Sequence, residues 1–261
     1  MPQLAAHLST LSGSRFYNLS LPGSPIEQYI NFSLEIPTLT LHSPRILVWM
    51  LFAGNDLTEP ITEPPMDLSV YKISGLESTL IQITNFQNQS RLRALLNNFY
   101  YSFVKPSSIE LVFRKNVSGL EVLFFYPWQA NSFLTEHEVV LHPNWPHVKH
   151  AISAVGTLAK AQQLKVLIAV APTKEQIYLN STRKEFGFGT AVCEVASKEA
   201  VDCVDLLPTF DQEAQRLLKQ GQLLWWKDDT HWNERGTALA AKTIGEYLER
   251  GNPREFNENS P

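Results

Sequence analysis

The stretch Arg45 to Ala53 is apolar after its first residue and stops abruptly at Gly54-Asn55-Asp56. No alternation of polar and apolar residues runs through it. A strand of this kind carries apolar side chains on both faces, which a parallel sheet covered by helices on each side can bury. A second such strand is predicted at Lys165–Ala171, ending in the loop Pro172-Thr173-Lys174-Glu175, and a shorter one at Val201–Leu206. Between and after them helical periodicity predicts Trp145–Gln163, Pro208–Lys219 with proline at its start, and Glu234–Leu248. Strand and helix therefore alternate, and the expected fold is α/β, a parallel sheet sandwiched between helices in three layers. Before the first of these strands the pattern predicts a helix over residues 1–12, a short strand over Arg15–Leu21, the turn Pro22-Gly23-Ser24-Pro25 and a helix over Ile26–Leu34.

The rhythm breaks between about residues 58 and 142. A Pro-rich loop (Pro60, Pro64, Pro65) leads to an expected helix at Ser90–Val104, and Ile109–Arg114 and Glu121–Tyr126 flank Asn116-Val117-Ser118-Gly119 as a β-hairpin. This region reads as an insertion, helix plus hairpin, within a single domain spanning 1–261, placed to shape access to the active edge.

Composition removes several function classes. The 261 residues carry a net charge of -4 with no basic run, which argues against a nucleic-acid partner. The longest apolar run is far too short to span a bilayer. Cys193 and Cys203 cannot by themselves build a zinc site, and two buried thiols are expected over a bridge. His142, His147 and His150 lack a cysteine or acid at ligand spacing, so no metal and no cofactor is expected.

Chemistry concentrates near the C-terminus, in Trp225-Trp226-Lys227-Asp228-Asp229-Thr230-His231-Trp232-Asn233. Two carboxylates precede a histidine by two and three residues, just ahead of the last helix. A carboxylate that accepts the imidazole Nδ1–H fixes the ring and stabilises the imidazolium that forms when the other nitrogen takes a proton. The competing reading is a polar helix cap, with Asn233 at the N-cap and the aspartates facing the helix dipole. Likewise Gly54-Asn55-Asp56 reads either as a plain turn or as a ligand-binding loop, since open α/β sheets bind ligands beyond the carboxyl ends of their strands. Trp225, Trp226 and Trp232 are either core or the wall of a carbohydrate or acyl pocket. Lys174 is either a solvated surface residue or a cleft residue facing an anionic substrate.

Taken together and in order, these segments resemble the SGNH hydrolase superfamily of GDSL-type esterases and acetyltransferases. Asp229-Thr230-His231-Trp232 looks like the Asp-X-His-Trp signature of its alginate O-acetyltransferase-like branch. Asn18-Leu19-Ser20-Leu21-Pro22-Gly23 looks like the superfamily's second block and Phe52-Ala53-Gly54-Asn55-Asp56-Leu57 like its third. Ala171 to Tyr178 is similar to a segment of membrane-associated bacterial relatives. The resemblance implies a flavodoxin-like sheet, acylated carbohydrate or small esters as substrates, and an oxyanion hole built from the Asn55 side-chain amide and the Gly23 backbone N–H. It implies His231 as the general base, oriented by Asp229, with Asp228 the alternative because many members place the aspartate three residues before the histidine. Gly54, Asp56, Lys174 and Trp232 would line the pocket, Asp56 bracing its loop rather than taking part in chemistry.

One block of that pattern is missing. The superfamily's Gly-Asp-Ser, which supplies the nucleophile, occurs nowhere in the sequence, and Ser12-Gly13-Ser14 lacks the preceding apolar strand. Two expectations follow. Either the sequence begins at an internal methionine, with the first strand and the serine upstream of it, or the protein is a non-catalytic relative that binds an acylated glycan. Relatives with this signature are often held in the periplasm by an N-terminal anchor.

Overall fold

The computed structural model describes residues 2–13, 15–16, 18–19, 24–38, 45–57, 112–179 and 186–251. The helix expected at Ser90–Val104, the Pro-rich loop before it and Gly23 lie outside these residues.

Two helices, α1 (Pro2–Ser12) and α2 (Pro25–Glu35), precede strand β1 (Ile46–Phe52). The hairpin β2 (Val112–Val117) and β3 (Leu120–Phe125) follows, then α3 (Tyr126–Ser132), α4 (Glu136–Val140) and α5 (Trp145–Gln162). Strand β4 (Lys165–Ala171) leads to α6 (Lys174–Tyr178) and α7 (Gly187–Lys198). Strand β5 (Asp202–Asp205), α8 (Leu207–Leu218) and α9 (Glu234–Gly251) complete the order.

Strands β1, β4 and β5 form a parallel sheet in the order β1-β4-β5, with Ile46 opposite Lys165, Phe52 opposite Ala171 and Val170 opposite Asp205. The central strand is buried from Val166 to Ala171, as its unbroken apolar run requires. The first strand differs from the expectation. Only Leu47, Trp49, Leu51 and then Ala53 are buried, because β1 is an edge of the sheet among the described residues. Trp49 turns its ring edge-on to Phe32 of α2 and its indole N–H donates to Gln28 at 2.6 Å, which seats that helix on the sheet.

The strand expected at Arg15–Leu21 is not formed by its described residues. Their backbone groups find side chains instead: the Phe16 N–H donates to Ser9 Oγ and the Leu19 carbonyl accepts from Asn31. Four helices, α3, α4, α6 and α7, lie where no helix was expected. Two of them begin at capping boxes, Thr135 with Glu138 and Thr173 with Gln176. The Ser/Thr-X-X-Glu/Gln spacing that marks such a start stands in the sequence. The hairpin pairs Val112 with Phe125 and Val117 with Leu120. Its two-residue turn holds Ser118 and Gly119 at φ of 50° and 87°, the left-handed pair that a tight hairpin demands.

The two cysteines are not thiols. β5 runs back along α7 and brings Cys193 and Cys203 to a Cα separation of 5.2 Å, where they form a disulfide. Closing so short a loop contributes about 2–3 kcal/mol. A thiol reagent is expected to label neither cysteine until a reductant is added, and labelling of the native protein would contradict the bridge.

Candidate active site

The carboxyl ends of β1 and β4 open onto two loops that the intervening chain ties together. After β1, Asp56 is buried and its Oδ2 accepts the Phe52 N–H at 2.7 Å, which closes the loop around Gly54 and Asn55. Gly54 is also buried, its carbonyl accepts from Asn131 of α3 at 3.0 Å, and a Cβ there would strike the Phe52 ring at 2.5 Å. Asn55, half-buried, sits between them. The next residue of α3, Ser132, meets Thr173 after β4 with 2.6 Å between hydroxyl oxygens. Phe52 and Trp128 pack edge to face across the same junction at 4.8 Å.

The histidine stands on a closed turn. Trp225 and Trp232 form an isolated antiparallel bridge and the Trp226 N–H donates to the His231 carbonyl at 3.1 Å. Lys227 to Thr230 are thereby looped out toward solvent. Asn233 locks the base of the loop. Its Nδ2 donates to the carbonyls of Leu223 and Trp225, while its Oδ1 accepts the Arg235 and Gly236 N–H groups at the start of α9. Asn233 is thus the helix cap, which leaves the aspartates free for other partners.

Asp229 Oδ1 lies 2.7 Å from His231 Nδ1, and the side chains of the pair are 55% and 80% exposed. The hydrogen bond with His231 holds the Asp229 carboxyl below its ordinary range. Asp228 points elsewhere, onto the Arg114 guanidinium of β2 at 2.8 Å, and that bond is the main cause of its own lowered pKa. The hairpin is joined to the loop a second time where the Leu123 N–H donates to the Lys227 carbonyl at 2.8 Å.

Lys174 occupies neither place that the sequence suggests for it. It is 0% exposed. Its Nζ donates to the carbonyls of Trp226, Asp229 and Lys227 at 2.7, 2.9 and 3.3 Å, with the face of Phe124 5.6 Å away. Burial pushes its pKa down to about 8. Next to it Glu175 is buried with Oε1 accepting the Phe125 N–H, and burial raises its pKa.

Trp232 is half-buried and packs against Phe210 at 4.9 Å and Trp225 at 6.4 Å beneath the turn. Trp226 is 54% exposed and its N–H is paired with the His231 carbonyl, which distinguishes it from the buried Trp225. Gly236 permits the close approach of α9 to the loop. A Cβ would lie 2.3 Å from the Leu224 carbonyl oxygen and 3.0 Å from Trp232 Cβ. Gly236→Ala is expected to cost about 1–3 kcal/mol, read as a fall in Tm of roughly 3–10 °C. An unchanged melting curve would mean the packing is looser than described.

No helix of the described residues is long and apolar enough to cross a membrane. Among the described residues no three His, Cys, Asp or Glu side chains are grouped to hold a metal ion.

Residues 129–260, half of the chain, match the family model described as the SGNH hydrolase-like domain of the acetyltransferase AlgX. No curated protein and no solved structure matches the chain. The matched segment contains β4 and β5 of the parallel sheet, the Thr173-Lys174 turn and the Asp229–His231 loop, whereas Gly23 and Asn55 lie before it. With its α/β architecture and the Asp-Thr-His-Trp turn set beyond the sheet, the chain belongs to the SGNH hydrolase-like family of AlgX.

Proposed function

We propose that this protein acts on ester-linked acyl groups of a polysaccharide or cell-envelope glycan of bacterial type, as an esterase or an O-acetyltransferase. The observation that carries the reading is the 2.7 Å contact of Asp229 with His231 Nδ1, which leaves Nε2 of the exposed ring available for proton transfer. An imidazole held in this way takes a proton from a hydroxyl nucleophile as that hydroxyl attacks the acyl carbon, and returns it to the departing sugar oxygen. The family supports a serine as that nucleophile, although no Gly-Asp-Ser stands in the 261 residues. Developing negative charge on the acyl oxygen calls for donors fixed in advance. The Asn55 amide and the Gly23 N–H are our candidates, Asn55 supported by its position at the carboxyl end of β1. The Cys193–Cys203 bridge supports residence in an oxidising compartment, outside the cytoplasm.

A second reading, a carbohydrate-binding or assembly protein that uses the same cleft without turnover, is favoured by the exposed indole of Trp226 beside His231. Aromatic faces of this kind suit the apolar face of a sugar ring. The two readings part on acetate release from an O-acetylated polysaccharide. Release by the protein isolated from its native source supports catalysis, and binding of the same polysaccharide with no release supports the second reading.

A further inference from the structure

Taking an ammonium out of water costs several kcal/mol unless hydrogen bonds replace its hydration. Lys174 bears that cost at full burial, and among the described residues no carboxylate forms a salt bridge with it. A site that needed only packing against Phe124 would be filled by methionine or leucine. Instead all three Nζ protons are directed at three carbonyls of one turn, those of Trp226, Lys227 and Asp229. That turn ends at His231. The main chain of Asp229 is therefore held from below by Lys174 while its carboxylate holds the imidazole above. Because Lys174 starts α6 directly beyond β4, the turn is referenced to the most buried strand of the sheet.

We propose that Lys174 is the positioning residue of the His231–Asp229 pair, its ammonium fixing the turn from which Asp229 orients the imidazole. The inference rests on reading His231 as the general base, but it is tested without turnover. In the nitrogen-15-labelled chain, the ring-nitrogen shifts of neutral His231 are expected to show one tautomer, protonated at Nδ1 toward Asp229. In Lys174→Met, of similar length but without the charge, the ring is expected to relax to the mixture found in free imidazole. Hydrogen exchange at the Trp226 and Leu123 amides, which donate to His231 and Lys227, is expected to speed up about tenfold or more. Exchange within β4 stays unchanged if the fold is intact. A Lys174→Met protein that keeps the single tautomer and slow exchange overturns the proposal.

If that variant does not fold, the unsubstituted chain still decides. Lys174 faces Glu175 on its own helix, Asp228 and Asp229 on the turn and Arg114 on β2. Of these it is the group that loses its proton near pH 8, leaving two donors for three carbonyls. The amide shifts of Lys227, Asp228 and Thr230, whose N–H groups share peptide units with those carbonyls, are expected to follow the titration of the Lys174 side-chain carbon. Amides that stay fixed while Lys174 titrates overturn the proposal. Failure here leaves the base assignment standing, whereas ester turnover that survives loss of His231 removes the base assignment and leaves the tautomer result intact.

Discussion

His231→Ala is expected to lower the kcat of ester cleavage by about 10³-fold or more while KM changes only a few-fold. A serine hydroxyl is a poor nucleophile at neutral pH, and methyl in place of imidazole removes both the proton acceptor for attack and the donor for the leaving oxygen. The change should be confined to kcat because the histidine makes its stronger interaction in the transition state, where it carries positive charge beside Asp229. Among the described residues the ring sits at the surface. Its side chain is 80% exposed and the turn is closed by the His231 carbonyl, which alanine retains. A matched far-ultraviolet spectrum and Tm would show that lost rate is not lost structure.

The two aspartates should separate cleanly. Asp229→Asn is expected to cost about 10²-fold or more in kcat, since an amide opposite Nδ1 neither stabilises the imidazolium nor fixes the tautomer that leaves Nε2 free. Asp228→Asn removes an exposed ion pair with Arg114, and such pairs contribute about 0–1 kcal/mol, so its rate should stay within about fivefold of the parent. The pH dependence has a definite sign. The Asp229 carboxyl lies below its ordinary pKa because His231 donates to it, so its folded value is below its unfolded one. Its contribution to stability is present above the unfolded aspartate value and lost as pH drops through the lower folded value. Steady-state kinetics of the two variants check the first statement, and equal losses in the two would contradict the assignment to Asp229; unfolding of the parent and of Asp229→Asn over a range of pH checks the second.

Much of the fold was legible in the sequence. The Lys165–Ala171 strand has the bounds expected of it, because an unbroken apolar run with a Pro after it admits few alternatives. The hairpin itself was legible, but its turn is tighter than expected: Asn116 and Val117 belong to the strand and pair with Glu121 and Leu120, which leaves Ser118 and Gly119 as the turn. What escaped was decided by distant partners or short-range capping. The spacing of Asp228 and Asp229 from His231 does not say which one faces the ring. The choice follows from the turn that the Trp226 N–H closes, and from Arg114, which lies more than a hundred residues away. Lys174 was ambiguous because lysine is almost never fully buried, and only the carbonyls of the turn make its burial tolerable. The disulfide needed β5 to lie against α7, a tertiary fact. α7 itself hides behind Gly187 and Gly189, poor helix formers whose lack of a side chain lets Thr135, Glu136 and Asp205 come close.

We propose that His231, oriented by Asp229, activates a serine for attack on an acyl carbon. It is tested most directly by the stoichiometry of labelling with a serine-directed phosphonate, on the protein isolated from its native source and on its His231→Ala variant. The account predicts one phosphonate per chain on the parent, at a serine that peptide mapping then locates, and almost none on the variant. Equal labelling of both proteins, or none of the parent, would contradict it.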